Sequence, residues 1–501
     1  MAAPTVVVPA TGQLVSSFKM QAIVLVHGMG EQRPMDTVKS FADAVWTSDD
    51  TVTRNGHSNP GEIWSKPDTR TGSLELRRLT TRQSTPSPGT YPDGSRQDFY
   101  ELYWADLSGG GTWDQTKNWI WMLLLRNPFT RVPRGVMLAW LLMWVAAFVV
   151  LFFLLLAALP APKPGETMRI WDWPVISCFK TWPSWTLLVI VGAMSWVAHT
   201  LIVPYFGRVV RYTRAIPDNI AARKAIRERG LKLLEELHRE DYDRIILVAH
   251  SLGAILAYDL LSYFWASRGA AHTVKRGTPE FDHLRDLEGI VARFEAETDA
   301  AKRQALLADY DVKRRALSRA LRQRPTPATG TPDTRWLITD FVTVGSPLGH
   351  AEFLLTDGPD DLQALTDARE FATCPPLREV LDAKVRDAAQ QAGLPVDPAD
   401  PRLFCFPLKH NDEWQLHHAA QFAVVRWTNI HDPASLVFLG DVISTPAVPV
   451  YGPGVKDIDA RALRGRTIAF THTRYWENGT PTPEPLKALR DALDLAAQRG
   501  P

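Results

Sequence analysis

Two kinds of apolar run punctuate the chain, and they predict different things. The short kind recurs at residues 21–26 (QAIVLV), 244–249 (RIILVA), 336–344, 422–430 and 467–471. These runs are rich in β-branched or aromatic side chains, and most lead straight into a Gly, Ser or His. That is the pattern of a buried parallel strand breaking into a loop. Between them, apolar positions recur at helical spacing over 35–46, 217–240, 254–266 and 481–500. In 217–240 the stripe is Ile226, Leu231, Leu234 and Leu237, with Asp218 as cap. Residues 73–80 and 97–105 alternate apolar and polar, as half-buried strands do, whereas 55–68 is polar and turn-rich. Residues 273–324 are heavily charged, with Leu284, Leu287, Ile290, Val291 and Phe294 on one stripe, which predicts a solvated helical pair. Residues 325–332 (PTPATGTP) read as a linker. Strands alternating with helices predict an α/β fold class, a mostly parallel sheet with helices on both faces and ligands at the carboxyl ends of its strands.

The long kind occurs twice. Residues 136–159 run for 24 positions without a charge, and 182–206 for 25 with His199 as the one group that titrates near neutrality. A helix crosses a bilayer core with about 20 apolar residues, and core helices seldom run so far without a polar stripe. Ten of the 18 Trp fall between Trp113 and Trp196. Trp119, Trp121, Trp140 and Trp144 sit near the start of the first run, and Trp171, Trp173, Trp182 and Trp185 around the turn; such rings favour the headgroup zone. Nine basic residues flank the outer ends and three lie in the connection 160–181. The positive-inside rule then puts both arms in the cytoplasm. Residues 118–129 (NWIWMLLLRNPF) are expected along the interface before the first span.

Composition narrows the classes. Lys+Arg is 56 and Asp+Glu 55, a net charge of +1, which argues against a nucleic-acid partner. At 22% charged and 45% hydrophobic residues the chain is not disordered. Cys178, Cys374 and Cys405 have no paired spacing, which excludes a disulfide scaffold or zinc ribbon. The mean hydropathy of −0.14 is that of a soluble protein and hides the two long runs. Residues 1–19 lack the charged start and apolar centre of a signal peptide.

The candidate chemistry lies at strand ends. Ala249-His250-Ser251-Leu252-Gly253 follows a strand and precedes a helix, the nucleophile-elbow pattern G-x-S-x-G with Ala in the first position. A turn that sharp needs small flanking residues, lifts the Ser251 hydroxyl above the sheet and aims the Leu252 N–H at the same point. His27-Gly28-Met29-Gly30 follows the first strand. A Gly-rich loop there can turn backbone N–H groups toward a developing oxyanion, so Met29 is the second expected donor beside Leu252. A serine nucleophile needs a base, and the base an orienting carboxylate, in the chain order Ser, acid, His. Asp432 stands at the end of VVRWTNI and is the expected acid, with Asp441 as competitor. One histidine follows them, His472, which makes it the expected base. His27, Gly28, Gly30, His250 and Gly253 are expected to line the site, with Arg33 and His350 near it. His410, His417 and His418 in KHNDEWQLHH lack partners for a metal site, and neither metal nor cofactor is expected.

With HGMG at His27, AHSLG at Ser251, VGSPLG at Gly345, the strand-end Asp432 and His472 in THTRYW, the chain resembles the α/β-hydrolase superfamily. Within it, the sequence looks most like the lipase/esterase branch near the lecithin acyltransferases and GPI-inositol deacylases. The resemblance covers most of the chain outside the long apolar runs and the insertions. It implies an α/β-hydrolase fold and a serine hydrolase acting on carboxylic esters, with Ser251 as nucleophile, His472 as base, Asp432 as orienter, and Met29 and Leu252 as oxyanion donors. Ala249 departs mildly from the family pattern, and a membrane hairpin is foreign to the common fold. The expected organisation is a first hydrolase part at 1–115, the interfacial segment and hairpin at 116–214, and a second hydrolase part at 215–501 with insertions at 273–332 and 351–401. Such a protein is a two-span membrane enzyme facing the cytoplasm, its partners the bilayer and an ester or acyl-lipid substrate. An inactive scaffold of the same fold and an acyltransferase using the same serine are the competing readings.

Overall fold

The computed structural model describes residues 20–28, 33–49, 63–72, 75–81, 96–108, 121–132, 137–158, 212–213, 217–326, 333–408, 412–433, 440–441, 443–461, 471–479 and 481–495. Its centre is an eight-stranded sheet. The strands are β1 (Met20–Val26), β2 (Ile63–Pro67), β3 (Arg77–Thr81), β4 (Arg96–Leu102), β5 (Arg244–His250), β6 (Ile338–Val344), β7 (Arg426–His431) and β8 (Lys456–Asp459). Their spatial order is β8-β7-β6-β5-β1-β4-β3-β2. The six from β8 to β4 run parallel, and the β2–β3 and β3–β4 pairs are antiparallel.

The apolar runs at 21–26 and 244–249 have no polar face because both faces of the sheet are covered. Ile23, Leu25, Ile246 and Val248 pack into one cluster with Val38 and Phe41 of helix α1 (Asp36–Ala42), with Trp46 in the π-turn that follows, and with Leu486 and Leu489 of a late helix. Their neighbours Ala22, Val24, Leu247 and Ala249 point the other way and are equally buried. That second face carries helices α3 (Pro217–Arg239) and α4 (Gly253–Ser267). A Cβ on Gly230 of α3 would lie 2.4 Å from Leu260 of α4 and 3.2 Å from Leu102 of β4. Each fully buried Leu, Ile or Val here contributes about 1.5–3 kcal/mol.

The charged stretch 273–324 forms the helical pair α5 (Pro279–Ala296) and α6 (Ala300–Arg322). Thr278 and Asp299 cap them, their side chains accepting from the N–H groups of Phe281 and Lys302. A small antiparallel sheet of Thr273–Lys275, Glu413–Leu416 and Cys405–Pro407 ties the start of this pair to the later chain. Helices α7 (Pro359–Asp367) and α8 (Ala383–Ala392) occupy the second insertion. Helix α9 (Glu484–Leu493) closes the sheet from its N-terminal edge. Gln21 of β1, Arg244 of β5 and Arg426 of β7 donate to the carbonyls of Leu495, Asp494 and Ala492 at 3.1, 3.4 and 2.8 Å.

Several elements differ from expectation. Ile63–Pro67 is an edge strand in the stretch read as turns; four of its five side chains are exposed, so no apolar alternation marks it. The third run begins at Ile338 and the fourth at Arg426, because Gln421–Ala423 is a 3-10 turn. Asp218 does not cap α3, which already begins at Pro217, a residue suited to the first helical turn. The strand expected at 467–471 lies, but for Thr471, outside the described residues; β8 is the edge partner of β7.

The chain divides into two units, one of Met1–Leu107 with Ile220–Pro501 and one of Ser108–Asn219. In the second unit, helix α2 (Met137–Ala158) has 22 residues and no charge. The indole N–H groups of Trp140 and Trp144 donate to the carbonyls of Leu123 and Leu124, both at 3.0 Å. Several α2 side chains are outside the description; judged on the described residues alone, no helix is long and apolar enough to cross a membrane. The second long run, 182–206, lies outside the described residues.

Candidate active site

Every strand from β4 to β8 delivers its carboxyl end to one edge of the sheet, and the titratable groups gather there. β5 ends at His250, and Ser251 follows with φ 55°, a left-handed conformation rare for a side-chain-bearing residue. That conformation costs about 1–2 kcal/mol. The turn is held by the Ser251 N–H donating to the Val344 carbonyl at 3.1 Å and by α4 starting at Gly253. The small neighbours are sterically required. A Cβ on Gly253 would stand 2.4 Å from the His27 carbonyl oxygen, and one on Gly28 would stand 2.7 Å from Ser251 Cβ.

His472 Nε2 lies 2.8 Å from Ser251 Oγ, and His472 Nδ1 lies 2.8 Å from Asp441 Oδ2. The pattern sets the roles of the two ring nitrogens: Nδ1–H donates to the carboxylate, and Nε2 accepts the serine O–H. Asp441 is fully buried and uses both oxygens. Oδ2 also accepts from the Tyr475 hydroxyl at 2.9 Å, and Oδ1 accepts from the N–H groups of Ile443 and Ser444 at 2.9 and 3.3 Å. Burial and the adjacent carboxylate hold the Tyr475 phenol well above its ordinary range, so it stays a donor. A carboxylate with four such partners is held rigidly against the His472 ring.

This corrects the expected acid. Asp432 stands at the end of β7, but its N–H faces Ser444 Oγ at 3.3 Å and its carbonyl accepts from Asp441 N–H at 2.8 Å. Pro433 and Asp441 form a parallel bridge. Asp441, nine positions later, is the carboxylate hydrogen-bonded to His472 Nδ1, and the Asp432 main chain supports the turn that carries Asp441.

His250 has a role the sequence reading reduced to lining. Burial, followed by the nearby His472, pushes its pKa down to about 3, so the ring is neutral. Its Nε2–H donates to the His472 carbonyl at 2.7 Å, and the ring meets Trp476 edge-on at 5.0 Å. The residue before Ser251 thus holds the main chain of His472. Tyr475 also acts on this site, and its one sequence signal is its place three residues after His472. Gly345 of the GSP turn has φ 60°, and a Cβ there would lie 2.9 Å from Tyr475 and 3.3 Å from Asp441 Oδ2; glycine lets the tyrosine reach the acid.

Among the remaining expected residues, His27 fixes the first loop. It stacks on Trp104, its Nε2 accepts the Trp104 backbone N–H at 3.2 Å, and its Nδ1–H donates to the Gly28 carbonyl at 2.8 Å. Leu252 leads into α4 beside Ser251. Met29 and Gly30 lie outside the described residues. Arg33 is exposed in the turn that starts α1, and His350 is buried in the turn Leu348–His350. His417 is held by backbone, donating to the Leu377 carbonyl at 2.8 Å and accepting from the Ala419 N–H at 3.1 Å. Cys374 and Cys405 are buried thiols. Among the described residues no group of three or more His, Cys, Asp or Glu side chains is arranged to hold a metal. Compared with protein-family profiles, curated proteins and solved structures, the chain finds no match. The functional reading therefore rests on the site itself.

Proposed function

We propose that this protein is a serine hydrolase that cleaves carboxylic esters through an acyl-enzyme, on an α/β-hydrolase scaffold. The observation that carries the reading is the closed relay from Ser251 Oγ through His472 to Asp441, with both links at 2.8 Å. A left-handed serine at a strand-to-helix turn and the chain order Ser, Asp, His support the same scaffold. Ser251 Oγ attacks the ester carbonyl while His472 Nε2 takes its proton. Asp441 stabilises the imidazolium through Nδ1–H. The tetrahedral oxyanion is met by backbone donors, with Leu252 N–H as one and Met29 N–H as the other, each contributing about 3–4 kcal/mol. His472 then protonates the leaving alcohol, and water, activated by the same histidine, releases the acid.

A decayed scaffold has no need of a relay in which the acid accepts four hydrogen bonds, which favours an active enzyme over an inert one. Transfer of the acyl group to an alcohol shares the first half-reaction and is separated from hydrolysis by the product. The uncharged helix α2, the second long run and the tryptophan-rich flanks support a membrane hairpin with the catalytic domain on the cytoplasmic side. Anchoring near lipid favours an acyl-lipid ester as substrate.

The test is labelling by a fluorophosphonate probe in membrane fractions. Intact protein should label, while Ser251→Ala and His472→Ala should not. Folded intact protein that fails to label would overturn the reading.

A further inference from the structure

The opposite edge of the sheet carries chemistry that the triad does not use. There the first residues of β5, β6 and β7 meet one face of α6 around a cavity of about 40 Å³ lined by six arginines and two aspartates. β5 spans seven residues, so this edge is roughly 20 Å from Ser251. On α6, Arg314, Ser318 and Arg322 recur every four residues, with Arg315 and Arg319 beside them, so one helix face brings four guanidinium groups to the cavity. Arg244 and Arg426 open β5 and β7 and share a single carboxylate, donating to Asp340 at 2.6 Å each.

Two groups lining the cavity lack what burial normally demands. Arg314 is 1% exposed; its Nη2 meets Asp311, but among the described residues its Nε and Nη1 have no hydrogen-bond partner. Ser318 is 6% exposed, and its hydroxyl has no partner among the described residues. Buried donors left unmade are costly, and charged ones more so. The cations also press on one another. Burial, then Arg244, lowers the Arg322 pKa to about 10, and burial, then Arg315, lowers that of Arg319.

We infer that this cavity is an anion site that takes one phosphoryl group. Three arguments select that ligand. The cavity holds about three waters' volume, which suits a single small oxyanion and is too small for a nucleotide. Its donors converge from a helix face and two strand ends, which suits a tetrahedral acceptor better than a planar carboxylate. Guanidinium forks match phosphoryl oxygens two at a time. A dianion here would satisfy Arg314 and Ser318 and offset the arginine excess, locking α6 onto the starts of the strands whose far ends carry Ser251 and Asp441.

The test is the unfolding midpoint of the full chain in detergent, read by tryptophan fluorescence against inorganic phosphate, with chloride at matched ionic strength as control. A saturable rise is expected with phosphate and none with chloride. In Arg314→Gln the apparent affinity should fall about tenfold or more, the loss expected for a charged hydrogen bond. Ser318→Asp builds an anion into the cavity, so it should raise the midpoint in phosphate-free buffer and abolish the phosphate response. Glycerol 3-phosphate and a monomeric short-chain phosphatidic acid separate the sources. Protection by all three assigns a free phosphate or phosphomonoester, and protection by the phosphatidic acid alone assigns a lipid headgroup. No saturable rise with any of them, an equal rise in folded Arg314→Gln, or a lower midpoint in Ser318→Asp would overturn the proposal. If Arg314→Gln does not fold, Ser318→Asp decides.

Discussion

Replacing Asp441 with Asn separates the two candidate acids and tests the relay at its buried end. The amide is the same size, so the cavity is kept and the chemistry changes. In one orientation the NH2 stands where Oδ2 was, facing His472 Nδ1–H at 2.8 Å and the Tyr475 hydroxyl at 2.9 Å. In the other it faces the N–H groups of Ile443 and Ser444. Either way a donor meets donors. The imidazole relieves the first clash by moving its proton to Nε2, and it can then no longer accept from Ser251. The lost charge adds to this. Two unit charges about 4 Å apart at an effective dielectric of about 20 attract by about 4 kcal/mol, or about a thousandfold in rate. The expected loss in fluorophosphonate labelling rate is therefore about 10³–10⁴-fold. Asp432→Asn, measured beside it, should stay within about threefold, because the hydrogen bond to His472 Nδ1 comes from Asp441 and is kept. A protein in which Asp432→Asn is the dead variant and Asp441→Asn still labels would refute the relay described above.

Tyr475→Phe removes one of four hydrogen bonds to Asp441 and should slow labelling by about three- to tenfold, with the pH profile of the rate displaced; an unchanged rate would deny the tyrosine a role in holding the acid. Gly28→Ala sets a Cβ 2.7 Å from Ser251 Cβ, so it should cut labelling by more than about tenfold while the protein stays folded by circular dichroism. Gly253→Ala meets two backbone oxygens at 2.4 and 2.5 Å and should destabilise the fold by about 2–4 kcal/mol, read as a lower unfolding midpoint. Stability should peak near pH 6.5. Burial lowers His238 and His250 to about 3 and His272 and His417 to about 4, so unfolding takes up protons as pH falls below their unfolded value and stability is lost toward pH 4. Burial raises Glu101 to about 7 and Glu288 to about 8, so unfolding releases protons between about 4.5 and 8 and stability declines as pH rises past the histidine range. A midpoint that climbs steadily from pH 5 to 8 would contradict this balance.

The features legible in the sequence are those a single strand can declare. β1 and β5 are covered on both faces, so their apolar runs are unbroken, and the elbow at Ser251 shows as small residues around one serine. His472 followed from chain order because one histidine remains after the candidate acids. Asp441 was not legible as the acid. Its place depends on how residues 433–441 return to the end of β7, a tertiary fact with no periodicity to report it, and Asp432 sat at the strand end where an acid is expected. His250 and Tyr475 were hidden for a related reason: both act on partners more than 30 positions away, or on a backbone atom, and neither leaves a pattern. β2 was missed because an exposed edge strand buries too little to alternate.

The ties from α9 to the first residues of β1, β5 and β7 set a timetable for the chain. Ser251 leaves the ribosome 190 residues before Asp441 and 221 before His472, and the segment that bridges the three strand starts is made later still. A partial chain therefore displays Ser251 without His472 and its strand starts without their clasp. Non-local closure of this kind is slow, and in the interval a protease can reach what the finished sheet covers. The contact of Ser251 with His472 and Asp441 is thus withheld until the last elements have docked. A ribosome-bound intermediate lacking residues beyond 440 should be inert toward the fluorophosphonate probe, however well its first strands have formed.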